Sequence, residues 1–220
     1  MIKKINLVIV ALLLSLTTYA QFGITGGTQF TNNEEWRDII ITNGNEITDE
    51  FSNQGWAVGI DYWFRLEKVR IEFLPELRLA HTNSKVQLSD VSGMTDVDLN
   101  SLQFNFNTNI YPFDFDGDCD CPVWSKEGPS FSKGFFVRLS PGVNYRQVSE
   151  QGMDAGPAYD AAVKLTAAIG VGMDIGISDF ITITPLAEHR WFQNDELQAA
   201  DAPSLTNWFA GIRLGIRFDD

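Results

Sequence analysis

The sequence predicts an all-β chain, an eight-stranded antiparallel up-and-down transmembrane β-barrel with a packed polar interior. Three observations carry this. Eight segments alternate strictly between apolar and polar or small residues, each of roughly the 9 to 11 residues that a tilted strand needs to cross a bilayer. Trp, Tyr and Phe gather at the ends of the apolar faces, at Trp56, Tyr62, Phe64, Tyr145, Trp191, Trp208 and Phe218, where a barrel presents aromatic girdles to the two interfaces. Short and long connections alternate, as they do between the two sides of a membrane barrel.

The chain starts with Met-Ile-Lys-Lys, continues as an apolar run from Ile5 to Leu16, and reaches the small-residue exit Thr18-Tyr19-Ala20 ahead of Gln21. Residues 1–20 are therefore expected to be a cleaved signal peptide that directs export, and 21–220 the barrel. The apolar run is too short for a spanning helix, which takes about 20 residues. Without Lys3 and Lys4 the formal charge of −13 becomes −15. Phosphate binding needs clustered Lys and Arg, so nucleic acid is excluded as a partner. Abundant aromatics and Gly set the chain apart from acidic disordered sequences.

The segments are read in order, apolar face first. Phe22, Ile24, Gly26, Thr28 and Phe30 oppose Gly23, Thr25, Gly27 and Gln29. Trp56, Val58, Ile60, Tyr62, Phe64 and Leu66 oppose Ala57, Gly59, Asp61, Trp63 and Arg65. In the third, Val69, Ile71, Phe73, Pro75, Leu77 and Leu79 oppose Arg70, Glu72, Leu74, Glu76 and Arg78, so four charges share one face. The fourth sets Leu102, Phe104, Phe106, Thr108 and Ile110 against Gln103, Asn105, Asn107, Asn109 and Tyr111. The fifth sets Phe135, Val137, Leu139, Pro141, Val143 and Tyr145 against Phe136, Arg138, Ser140, Gly142, Asn144 and Arg146. In the sixth, Val163 to Met173 alternates with Lys164, Thr166, Ala168, Gly170, Gly172 and Asp174. The seventh places Ile181 to Trp191 against Thr182, Thr184, Leu186, Glu188 and Arg190. The last places Trp208 to Phe218 against Asn207, Phe209, Gly211, Arg213, Gly215 and Arg217.

Alternation alone also fits a water-soluble sandwich or barrel with its apolar face inward. The girdle aromatics, and the Gly, Asn, Ser and charge of the other face, favour the membrane barrel. Only Glu67 and Lys68 separate the second and third segments, and a few residues around Ser178-Asp179 separate the sixth and seventh. Longer polar loops are expected at about 31–54, 82–99, 147–160 and 193–206. Short turns are periplasmic and long loops external in such barrels, and an even strand number closes the sheet.

The chain ends Gly211-Ile-Arg-Leu-Gly-Ile-Arg-Phe218-Asp-Asp, an alternating strand with an aromatic near its end. Here the sequence resembles the small outer-membrane β-barrels, of the OmpA/OmpX type or the PorT-like barrels of Bacteroidota. In those families such a strand is the signal read by the barrel-assembly machinery, although here two Asp residues trail the aromatic. The resemblance covers residues 21–220 as architecture. It implies an outer-membrane location in contact with lipid rather than an activity.

The inward charges Asp61, Arg65, Arg70, Glu72, Glu76, Arg78, Arg138, Lys164, Asp174, Glu188, Arg190, Arg213 and Arg217 read as a salt-bridge network that fills the lumen, because charge withdrawn from water must be paired. Eight strands leave room for side chains but not for an open pore. His81 and His189 fall on the outward face near the external interface, and Ser84, three residues past His81, points the other way. No catalytic residue and no cofactor is assigned. Asp114, Asp116, Asp118 and Asp120 are spaced like a calcium loop around Gly117, but Ser125 stands where a closing Glu belongs, so an acidic solvated turn is the competing reading. Cys119 and Cys121 cannot make a four-ligand zinc site. Sequence does not choose between a small disulfide and free thiols.

By strand parity, residues 113–133 form a periplasmic insert far longer than the other turns. Its Cys119, Cys121, Trp124 and Phe131, with the acidic run, make it a candidate docking element for a periplasmic or envelope protein; a self-packed plug is the alternative. The expected function is a non-enzymatic barrel that docks other envelope or secretion components. An adhesive barrel acting through acidic external loops and a lipid-modifying enzyme are the alternatives.

Overall fold

The computed structural model describes residues 21–32, 54–66, 69–87, 94–115, 133–151, 162–178, 180–193 and 206–217. Eight strands run in chain order: β1 (Gln21–Asn32), β2 (Gln54–Tyr62), β3 (Ile71–Gln87), β4 (Met94–Ile110), β5 (Phe135–Gln151), β6 (Ala162–Met173), β7 (Ile181–Phe192) and β8 (Thr206–Arg217). Short continuations, Phe64–Arg65 and Ile175–Gly176, prolong β2 and β6 past breaks at Trp63 and Asp174. Each strand pairs antiparallel with the next. β1 also pairs with β8 from Gln21↔Arg217 to Asn32↔Thr206, which closes the sheet on itself. Closure matters because backbone N–H and C=O groups have no water to bond in hydrocarbon, and a closed sheet leaves no edge.

Burial is inverted relative to a water-soluble protein. Val163 is 70% exposed and Ile60 60%, whereas Arg138, Glu76 and Glu188 are each 1% exposed. Every strand carries exposed large apolar side chains on its outer face. A continuous apolar belt of that extent is incompatible with water, and charge fills the space that a soluble barrel would fill with Leu and Val. The outer face is therefore the lipid face.

Aromatic contacts mark both ends of the belt. Near the termini, Phe22 meets Tyr62 at 5.6 Å, and Phe64, Phe73 and Phe106 follow one another at 5.3 and 5.6 Å. At the loop end, His189 lies 4.5 Å from Trp191 and 4.4 Å from Trp208, and His81 lies 5.8 Å from Trp56. Both histidines thus belong to the aromatic band at the end away from the termini.

The interior is narrow enough that glycine is needed beside the largest inward groups. A Cβ on Gly59 would come within 2.3 Å of Glu76 Oε1, and one on Gly172 within 2.4 Å of the Phe136 ring. Ala57, Ala80, Leu186 and Phe209 form a small buried apolar cluster inside the bore.

Strand lengths correct the sequence reading. β3, β4 and β5 each have 17 residues rather than 9 to 11. Most of the loop expected at 82–99 is strand, residues 82–87 and 94–99, and 147–151 continue β5. Apolar alternation stops where the sheet leaves the bilayer, because both faces then meet water. Period-two hydrophobicity consequently loses the strand before the hydrogen-bonded ladder ends.

Ile60→Arg places a charge on the lipid face near mid-strand and should destabilise the barrel by about 2 to 4 kcal/mol. Equilibrium unfolding in lipid vesicles measures it; parental stability would show that this face does not meet hydrocarbon.

Candidate functional site in the barrel lumen

The inward faces bring side chains from all eight strands into one bore, and their contacts fall into three levels. The middle level is organised by Glu188 on β7. Its carboxylate accepts from Arg78 of β3 at 2.8 Å, from Arg138 of β5 at 3.0 Å and from Arg190, two residues along its own strand, at 3.4 Å. Glu76 of β3 pairs with Arg78 at 3.0 Å and accepts from Asn107 at 3.0 Å and Asn105 at 3.4 Å. Arg138 also donates to Asn109 at 2.8 Å, and Arg190 to Asn105 at 2.6 Å.

β3 and β7 stand four strands apart in a closed sheet of eight, so the Arg78–Glu188 pair crosses the bore from wall to wall. Arg78 also lies over the Phe209 ring at 4.5 Å, which joins the ion pairs to the apolar cluster. The result is a shut bore at mid-height. Asn105, Asn107 and Asn109, alternate residues of β4, supply the neutral donors and acceptors that complete the charged groups. Single pairs in so dry a space would not offset desolvation; the shared network does so by giving each charge several partners.

The second level lies at the end that carries the termini. Asp61 of β2 takes both Nε and Nη2 of Arg213 of β8, at 2.8 and 2.6 Å. Tyr111 donates to Glu72 at 2.7 Å and lies 2.5 Å from Asp174 Oδ2. Trp63 donates to Glu72 at 2.7 Å, and Thr184 to Asp174 at 2.6 Å. Trp63 and Asp174 are where β2 and β6 break, so the interruptions turn these two groups under the lumen. Burial, then the Asp174 and Glu72 carboxylates, push the Tyr111 phenol well above its usual range. Tyr111, beyond the end of β4, thus remains neutral.

Arg70 completes this floor. It pairs with Glu72 at 3.5 Å, bonds Asp114 and the Lys133 carbonyl, and lies 3.9 Å over the Tyr111 ring. Both described ends of the 113–133 insert are therefore fastened to one guanidinium. Asp116, Asp118, Asp120, Cys119, Cys121, Trp124 and Phe131 lie outside the described residues, as do Phe218 and the side chain of Ser84. Among the described residues no group of three or more His, Cys, Asp or Glu is placed to hold a metal ion. Between floor and middle network lies a cavity of about 50 Å3, and Arg138 Nη2, which has no hydrogen-bond partner among the described residues, lines it.

The third level is the mouth on the loop side. Gln29 donates to Thr82 at 2.7 Å and accepts from Asn207 at 3.1 Å. Lys164 stands opposite Asn144 in the β5–β6 ladder. Arg146, two residues from Asn144 on the same face, lies over the Phe192 ring at 4.8 Å. At the other rim Arg65 is paired in register with Glu72, and Arg217 lies over Trp63 at 5.0 Å.

Sequence reasoning assigned the ionic side chains to the lumen but omitted Arg146, Trp63 and Tyr111 from the site. Arg146 had the inward parity, which was the available signal. The roles of Trp63 and Tyr111 depend on strand breaks that periodicity does not announce.

No protein-family model matches the sequence, and no curated protein matches it. Among solved structures it is similar to Neisserial surface protein A, at 8% identity over 92% of this chain and 98% of that one, with a TM-score of 0.47. It is also similar to the outer membrane protein OprG from Pseudomonas aeruginosa, at 11% identity over 92% and 98%, TM-score 0.44. A third is Ail, the attachment invasion locus protein of Yersinia pestis, at 10% identity over 90% and 99%, TM-score 0.43. At such values the fold is read from the chain's own register and burial. In fold, the chain is a small membrane-spanning β-barrel of the outer-membrane type.

Glu188→Ala leaves three arginines of the middle level short of a carboxylate and should destabilise the barrel by about 3 to 5 kcal/mol. Unfolding in detergent or lipid provides the measurement; parental stability would mean that water reaches mid-bore and solvates the arginines.

Proposed function

We propose that this chain is a non-enzymatic, non-conducting barrel of the bacterial outer membrane that docks other envelope components on its loop side. The observation that carries this reading is a leaf of sheet standing beyond the rim of a shut barrel. The last β2–β3 pair is Gly55↔Thr82, and the last β5–β6 pair is Arg146↔Ala162. Past them β3, β4 and β5 continue as three strands, with Gln87↔Met94 at the β3–β4 end and Asp96↔Gln151 beside it.

Over that stretch, among the described residues, β3 has no partner on its β2 side and β5 none on its β6 side. Exposed strand edges present a row of backbone donors and acceptors that an incoming strand can pair with, and side chains on alternate positions then select the partner. The shut bore supports a scaffold rather than a pore. The lumen's carboxylates are engaged by Arg, Asn, Tyr, Trp and Thr donors, and both histidines face the membrane interface, which supports the absence of a hydrolytic centre.

Replacing residues 83–98 by a two-residue Asn-Gly turn should leave folding and the heat-dependent gel shift of the barrel intact, while proteins that co-purify after mild detergent extraction are lost. A shortened barrel that keeps its partners would refute docking through the leaf. In planar bilayers the parent should show no stepwise conductance; steady open steps would refute the shut bore.

A further inference from the structure

We propose that the loop-side mouth of the lumen is a binding site for a small inorganic anion, held by Arg146 together with the side-chain amides of Asn144 and Gln103. The site is a cavity of about 10 Å3 opening toward the loops, and Arg146, Asn144 and Gln103 line it with Gln29 and Asn207. Asn144 is fully buried, yet neither its Oδ1 nor its Nδ2 has a partner among the described residues. Gln103 is 3% exposed and its Oε1 is likewise unpaired, as is Nε of Arg146. Single unpaired atoms occur lower in the bore, at Arg70 Nε and Arg138 Nη2, but here four, from three side chains, surround one small space.

Charge identifies the guest. The Glu188 carboxylate below this mouth is already shared by Arg78, Arg138 and Arg190. Arg146 has an aromatic ring beside it but no carboxylate among the described residues. Lys164, across the ladder from Asn144, stands at the same mouth with a partner of its own. An anion can accept from the Arg146 Nε–H and the Asn144 Nδ2–H while compensating the guanidinium, which a water does not do; Asn144 Oδ1 is then left to solvent at the open mouth.

The amides can serve it, because rotating an Asn or Gln side chain by half a turn exchanges acceptor and donor. Turned so, Gln103 aims its NH2 into the cavity and its oxygen at the Ser101 hydroxyl, which now lies 3.2 Å from Nε2. A volume of this size admits about one water-sized guest. What enters is therefore a monatomic anion such as chloride, or one oxygen of a phosphate whose remainder sits in the open mouth. The guest reaches the site from solution, since the barrel wall separates it from lipid.

The test uses the full chain, 15N-labelled and folded in detergent micelles. Chloride, and in a second arm phosphate, replaces a bulky organic sulfonate at constant ionic strength while the Arg146 Nε–H and the Asn144 and Gln103 side-chain resonances are followed. A saturable shift at all three, weakened more than about tenfold in Arg146→Met and less in Arg146→Lys, supports the site. Tighter saturation by phosphate would identify an oxyanion site, and by chloride a monatomic one. Shifts that grow without saturating and are equal in parent and Arg146→Met reflect screening and overturn the proposal. So does a set of resonances indifferent to both anions but displaced when loop 152–161 is shortened, which would show an acidic loop residue as the occupant. If Arg146→Met fails to fold, Arg146→Lys and Asn144→Leu carry the same comparison.

Discussion

Glu188 accepts from arginines on β3, β5 and its own strand β7, and through them one carboxylate ties opposite walls of the bore together. Much of the interior is arranged around that bond. Arg78, which reaches across, also pairs with Glu76, itself held by the Asn105 and Asn107 amides. Glu76 in turn has room because Gly59 carries no side chain. In a space from which water is largely excluded, each charge requires compensation, and each compensation requires a small neighbour to make room. The bore is closed as a consequence of this packing.

The two ends of the lumen are built differently. At the end bearing the termini, Arg70, Tyr111, Trp63, Asp174 and Asp114 interlock, and the described ends of the β4–β5 insert are drawn into the same contacts. That end is a floor. The loop side instead combines a leaf of extended strands, unpaired along two edges among the described residues, with a mouth where Arg146 Nε and the Asn144 amide have no partner among them. The asymmetry is the ground for proposing that other molecules, strands or ions, are met at the end away from the termini.

The apolar belt and polar bore were legible because side-chain alternation is a local property of extended backbone. Val58, Ile60 and Tyr62 point one way and Ala57, Gly59 and Asp61 the other in any strand, whatever it pairs with. The girdles were legible for the same reason, since Trp56, Trp191 and Trp208 sit at segment ends. Strand ends were not. Asn83 to Gln87 carry no apolar alternation, yet they continue a ladder held by β4, so pairing rather than hydrophobicity determines where β3 stops.

By itself, then, the sequence determined the strand number, the face each residue takes and the class of fold, because period two and segment length follow from strand geometry and bilayer thickness alone. Tertiary structure decided which charges meet. Arg78 and Glu188 are 110 residues apart and joined only because closure of eight strands sets them on facing walls at one height. Asp61 and Arg213, 152 residues apart, meet because β1 is short of side-chain bulk between their strands: Gly23, opposite Asp61 in the ladder, leaves the space that the Arg213 guanidinium crosses. Stagger, closure and side-chain volume act together across the whole barrel, and no local pattern encodes them.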